Sequence, residues 1–191
     1  MNYLRAASLL TLALLVLLTA GCLSVEKKEY RFTLKADGSG EGTIRFVNIL
    51  SSDDNGKDVS FKDFAELVTD YLDGTKFEDD YPVFHVTGKK LLEEHGQLVG
   101  EVNFTFSSFD SAGFLRTAKC DCCPVLYFIN TDKGQETVTE TSGKVHTGVA
   151  PSPFIEWEPK ARELTLKTTL MEDTSSARSM ISHYRMWKER K

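Results

Sequence analysis

Residues 30–46 read Tyr30-Arg31-Phe32-Thr33-Leu34-Lys35-Ala36-Asp37-Gly38-Ser39-Gly40-Glu41-Gly42-Thr43-Ile44-Arg45-Phe46. Tyr30, Phe32 and Leu34 alternate with Arg31, Thr33 and Lys35, the two-residue period of a strand with one buried face. The polar, glycine-rich stretch 37–42 is read as a turn, and Ile44 and Phe46 lie on a second strand, so the segment predicts a β-hairpin. Gly38, Gly40 and Gly42 have the spacing of a phosphate loop. That chemistry needs a helix N-terminus directly after the glycines, and here a strand follows, so they are read as turn glycines.

The polar loop 51–56 precedes the clearest helix. Ser60 followed by Asp63 has the form of a capping box, and Phe61, Phe64, Leu67, Val68, Tyr71 and Leu72 share one face at helical spacing. Asp63, Glu66, Asp70 and Asp73 fall off that stripe, and Gly74 ends it, giving a helix over 60–73. Asp53, Asn55 and Asp58 hint at a calcium loop, but Lys57 stands where an oxygen ligand belongs and no glutamate closes the loop. Residues 81–106 predict two longer strands joined near His95-Gly96, and 108–116 a loop. Residues 124–130 are apolar on both faces and are read as a central strand, and threonine-rich 135–141 as an edge strand. Pro151 and Pro153 precede a final expected hairpin, 154–157 with 164–170. A last helix is expected over 175–188. This order predicts an α+β fold: an antiparallel β-sheet of hairpins with two helices, about 60–73 and 175–188, packed on one face.

The N-terminus carries a different signal. Arg5 is its one cationic side chain, residues 6–20 are free of charge and rich in leucine, and Ala20-Gly21-Cys22 follows. A basic start, a short apolar run and small residues describe a secretory signal peptide, and the run is shorter than the about 20 residues of a membrane-spanning helix. The last residues resemble a lipobox, with Ala20 and Gly21 before the acceptor Cys22. Thr19 departs from the usual leucine at the third position before the cysteine, and Leu18 stands beside it. The resemblance covers the first 22 residues and implies a bacterial lipoprotein precursor: 1–21 removed, Cys22 lipidated, 22–28 a tether and 29–191 a single α+β domain. It also implies a domain in the periplasm or at the cell surface, held to a membrane by the lipid on Cys22. Leu23 is not the aspartate of an inner-membrane retention signal, which favours the outer membrane in a cell that has one.

Removing residues 1–21 from the 191 leaves 170, with 22 Lys+Arg against 28 Asp+Glu and a formal charge of −6. Residues 178–191 hold five cations and one acid, so the rest of the mature chain carries −10. An exported, mildly acidic chain lacks the basic footprint of nucleic-acid binding. The basic C-terminal segment does carry a stripe of Ala177, Met180, Ile181, Tyr184 and Trp187. Arg178, Tyr184, Arg185, Trp187 and Lys188 are therefore candidates for contact with a membrane or partner, against the plainer reading that the stripe packs on the sheet. Met180, His183 and Met186 share a spacing that a copper site could use, but core and solvated roles fit them better.

Cys120, Cys122 and Cys123 fall within four residues and leave an odd sulfur after any internal pairing. A local disulfide, an interchain disulfide, a Cu or Zn site and thiol–disulfide exchange all remain open. Pro124 and an apolar strand follow the C-x-x-C, rather than the helix that would lower a thiolate pKa. A metal site would need a third thiolate or His85, His95 or His146. No nucleophile elbow and no zinc-protease motif is present, and the histidines are scattered. The expectation is a non-enzymatic binding or assembly domain of the envelope without a cofactor, contacting the membrane and an envelope protein. The alternative is a metal-binding or thiol-redox lipoprotein working through the three cysteines.

Overall fold

The computed structural model describes residues 23–52, 56–116, 122–129, 136–148 and 152–190. In chain order the elements are β1 (Leu23–Leu34), β2 (Gly40–Ser52), α1 (Ser60–Glu66), which continues as a π-helical turn (Leu67–Leu72), α2 (Lys76–Asp80), β3 (His85–Glu94) and β4 (Gln97–Phe106). Then come β5 (Phe114–Leu115), β6 (Val125–Phe128), β7 (Thr137–Thr141), β8 (Lys144–His146), β9 (Phe154–Trp157), β10 (Glu163–Thr169), β11 (Ala177–Ser179) and α3 (Ile181–Lys188). The protein is mostly antiparallel β-sheet with a small helical component.

β1 and β2 form the expected hairpin, in register from Leu34 opposite Gly40 to Leu23 opposite Ser51. Its turn is closed by Lys35 N–H to Ser39 O (2.8 Å) and by Asp37, whose Oδ1 accepts from the Ser39 amide (3.0 Å) and hydroxyl (2.7 Å). Gly38, at φ +88°, supplies the left-handed residue. Gly40 and Gly42 belong to β2 rather than to the turn. A Cβ on Gly40 would lie 2.3 Å from Cζ of Phe106, and one on Gly42 2.7 Å from Cζ of Phe104. These glycines are the floor on which the two β4 rings rest. The pairing also begins at Leu23, so residues 23–28, read from sequence as tether, are part of a strand.

Among the described residues, the larger sheet runs β3-β4-β2-β1-β10-β7, with β11 added to the far end of β2. The smaller sheet runs β5-β6-β9-β8. The expected hairpin 154–157 with 164–170 does not form. β9 pairs with β6 and β8, whereas β10 pairs with β1 and β7. The free edge of β1 carries unpaired backbone groups that need partners, and β10 supplies them over seven paired positions, Lys27 opposite Thr169 to Thr33 opposite Glu163. The chain also changes sheet between β7 and β8. At that corner Ser142 Oγ accepts from Trp157 Nε1 and from the Thr165 amide, both at 3.0 Å, tying the two sheets together. β6, within the expected strand 124–130, is interior as expected, but in the smaller sheet, and β7 is the predicted edge strand.

The two sheets share a core. Phe32, Leu34, Ile44, Phe104, Phe106, Leu164 and Leu166 from the larger meet Phe114, Val125, Ile155 and Trp157 from the smaller. Phe32 stands edge-on to Phe114 with centroids 4.9 Å apart. A second cluster joins Ile49 and Leu98 of the sheet to Phe64, Leu67 and Val68 of α1 and its π turn, and to Met180 and Tyr184. Asn48, at φ 58°, shifts the alternation of β2, so that Phe46 and Ile49 both reach this apolar side. The opposite face is polar: Arg45 pairs with Glu29 (2.8 Å), Glu94 and Glu101 (3.6 Å).

Three local expectations are corrected. The capping box does not form: Asp58 Oδ1 accepts from the Ser60 amide (3.0 Å) and hydroxyl (2.7 Å), while Asp63 turns inward. Asp63 is 1% exposed and accepts a hydrogen bond from Ser51 Oγ at 2.6 Å. Phe61, assigned to the apolar stripe, is 72% exposed, because it lies at the edge of the arc that Ser60, Phe64 and Leu67 direct inward. Finally, the last helix starts at Ile181 rather than 175. Residues 177–179 instead extend the sheet on β2, from Ala177 opposite Ser52 to Ser179 opposite Leu50.

Candidate functional site

The residues singled out at the C-terminus lie where β1 begins. Leu23 pairs with Ser51, and Ser51 pairs on its other side with Arg178, so Arg178 is two strands from the residue that follows Cys22. Arg178 also faces Asp58 at 3.6 Å. Arg185 is held on the surface by Glu93 (Nε to Oε2, 3.0 Å), and this pairing keeps the Glu93 carboxyl below its ordinary pKa. Lys188 lies over the Tyr184 ring, 5.8 Å from its centroid. Tyr184 itself is buried, and its hydroxyl donates to the Leu91 carbonyl at 3.1 Å, which removes it from the contact candidates. Trp187 is half-buried against Phe64, 6.3 Å between centroids. Sequence reading missed Phe61, the most exposed large apolar side chain among the described residues, which sits against His183 at this same end. Ser60 Oγ lies 3.1 Å from Nε2 of His183.

Cys22 and Cys120 lie outside the described residues, as do Asp53 and Asn55. Cys122 is exposed and Cys123 half-buried, in the turn before Pro124 and β6. The histidines considered as helpers are placed elsewhere. His146 is level with Phe154 and thereby with Phe128, the end of β6 away from Cys123, and it stacks on Phe154 at 4.6 Å. His85 is on β3 opposite Thr105, and His95 is in the β3–β4 turn at φ 51°. Among the described residues no three His, Cys, Asp or Glu side chains are grouped to hold a metal ion.

Two cavities open on the apolar side of the larger sheet. The first, about 330 Å³, lies where the two sheets meet and is walled by Tyr30, Tyr81, Phe84, Tyr127 and the pair Lys28 and Glu136. Glu136 Oε1 accepts from the Tyr30 hydroxyl (2.9 Å) and from Thr168 Oγ1 (2.5 Å), and its Oε2 is 3.7 Å from Lys28 Nζ. Burial first, and the Glu136 charge second, push the Tyr30 and Tyr81 hydroxyls above their ordinary pKa and that of Tyr127 up to about 12. The wall is thus aromatic, with neutral hydroxyls and one carboxylate–ammonium pair. This suits a small ligand with an apolar body and one polar group.

The second cavity is a groove of about 250 Å³ between the sheet and the helices α1 and α2. Leu23 and Val25 of β1, Phe46 and Ile49 of β2, Leu91 of β3, and Leu67, Tyr71 and Leu72 of the π turn line it. Lys89 is also in the lining, with Nζ 3.0 Å from Glu78 Oε1 and also bonded to the Gly74 carbonyl. No helix among the described residues is long and apolar enough to cross a membrane. No family model, curated protein or solved structure matches this chain.

Proposed function

We propose that the chain is a lipid-anchored, non-enzymatic binding or assembly domain of a bacterial cell envelope, held to a membrane through Cys22. The observation that carries the reading is the charge-free run 6–20 ending in Ala20-Gly21-Cys22, followed at once by a strand that is paired from Leu23 onward. A strand starting one residue past the acylated cysteine leaves no slack, so the domain stands directly on the bilayer. In this orientation α1 and α3 lie together on one face of the larger sheet, at its membrane end. Phe61, Arg178 and Lys188 then belong to the surface nearest the lipid, the combination of an apolar ring and cations that an anionic interface favours.

The inter-sheet cavity lies higher. Tyr30 is eight residues past Cys22, about 26 Å at the rise of a strand. That height keeps the cavity clear of the headgroups and open to a soluble ligand or to a side chain of an envelope protein. The test is growth of cells expressing the precursor with labelled palmitate. The wild-type protein takes up label and stays in the membrane fraction through an alkaline wash, and Cys22→Ser loses both. Label persisting on Cys22→Ser, or membrane retention of an unlabelled wild type, sinks the reading.

A further inference from the structure

The apolar groove begins at the residue next to the anchor. We infer that it receives one acyl chain of the lipid on Cys22, which lies along the protein when the protein is in water. The inference rests on the lipid-anchor reading above. Leu23, Val25, Phe46, Tyr71, Leu72 and Leu91 are all only half-buried, and all face this one groove. The lining is mostly apolar, with Asp80, Lys89, Lys90 and Glu101 also in it, and an apolar surface of this kind lacks its cover.

Position identifies the cover. Consecutive Cα atoms are about 3.8 Å apart, so a chain attached at Cys22 starts at the groove's own wall. Its effective concentration there exceeds that of any free lipid, because the linker is short. Gly100 is in the groove floor, and its missing side chain lets Ile49 and Leu91 close over the sheet: a Cβ there would meet Ile49 Cδ1 at 3.1 Å and Leu91 Cδ2 at 3.6 Å. The volume of about 250 Å³ holds roughly eight groups the size of a water, and so part of an acyl chain. Lys89 of the lining is paired with Glu78 at 3.0 Å.

Bilayer tails are as apolar as leucine, so in the membrane the groove offers a chain little advantage. The difference arises in water, where an uncovered chain and an uncovered groove both expose apolar surface. Docking therefore covers both surfaces when the protein is in water.

The experiment feeds cells a palmitate analogue carrying a diazirine, isolates the mature lipoprotein, and first confirms label on Cys22 by intact mass. The protein is then diluted out of detergent, mixed with an isotope-labelled copy, irradiated and digested. Crosslinks within one chain, from Cys22 to peptides holding residues 67–72 and 89–91, are expected. They should fall at least tenfold in Leu72→Asp and in Leu91→Asp, each checked for unchanged circular dichroism. Crosslinks only between copies, only to other peptides, or undiminished in both variants overturn the inference while leaving the anchor intact. An absence of label on Cys22 overturns the anchor and the inference together.

Discussion

Ser51 and Asp63 are both buried, 0% and 1% exposed, and Ser51 Oγ donates to Asp63 Oδ2 at 2.6 Å. Removing the donor leaves a buried carboxylate short of a partner, which costs about 1–3 kcal/mol. Ser51→Ala should lower the urea-unfolding free energy by that amount, and an unchanged midpoint would show that Asp63 is satisfied otherwise. A pH prediction attaches to Tyr127, whose folded pKa of about 12 lies above its ordinary value of 10.0. The raised value means that the folded form holds the proton more tightly, so the stabilisation is complete below pH 10 and is lost as pH rises toward 12. The unfolding free energy should fall over that window, and Tyr127→Phe should flatten the slope by up to one proton, about 1.4 kcal/mol per pH unit. Equal slopes in the two proteins would contradict it. Neither site was legible from sequence. Asp63 reads from sequence as the capping partner of Ser60, off the apolar stripe, and Glu136 is a lone carboxylate whose partners Lys28, Tyr30 and Thr168 are distant in the chain.

At the scale of elements, what was legible was local. The β1–β2 and β3–β4 hairpins, the α1 region and the β7 edge follow from periodicity and turn residues within about ten positions of each other. What was not legible was choice of partner. β9 and β10 look like a hairpin because both alternate and a turn separates them, but the open edge of β1 and the inner strands of the smaller sheet compete for them and win. Residues 175–179 had helical spacing, yet the unpaired end of β2 offers a ladder there. Gly40 and Gly42 show the same effect, since only the rings of Phe106 and Phe104 across the sheet explain them. Gly40→Ala places its Cβ 2.6 Å from the Thr33 carbonyl as well as against the Phe106 ring, so backbone must move. Overpacking of this kind costs about 1–3 kcal/mol. A thermal melt should show Gly40→Ala markedly less stable, whereas Gly96→Ala meets nothing within 4 Å and differs only by the strain at φ +77°. A melt unchanged by Gly40→Ala would rule out the close approach of β4 to β2.

For the whole molecule, the N-terminal pattern and the start of β1 meet at one peptide bond. The lipobox resemblance is carried by residues 18–22, but the strand that begins at Leu23 was not legible, because Leu23 to Lys28 carry charges that resemble a solvated linker. Only their pairing with residues 46–51 shows them as strand. The proposed orientation, the membrane-facing Phe61 and the groove beside Leu23 all depend on a lipid at Cys22. The measurement that tests it most directly is the intact mass of the mature protein extracted from membranes. A lipid anchor at Cys22 gives a chain beginning at that residue, heavier than the bare 170-residue polypeptide by a diacylglyceryl group, with or without a further acyl chain on its amine. A mass equal to an unmodified polypeptide, whether cut at another residue or left at the full 191, would contradict it.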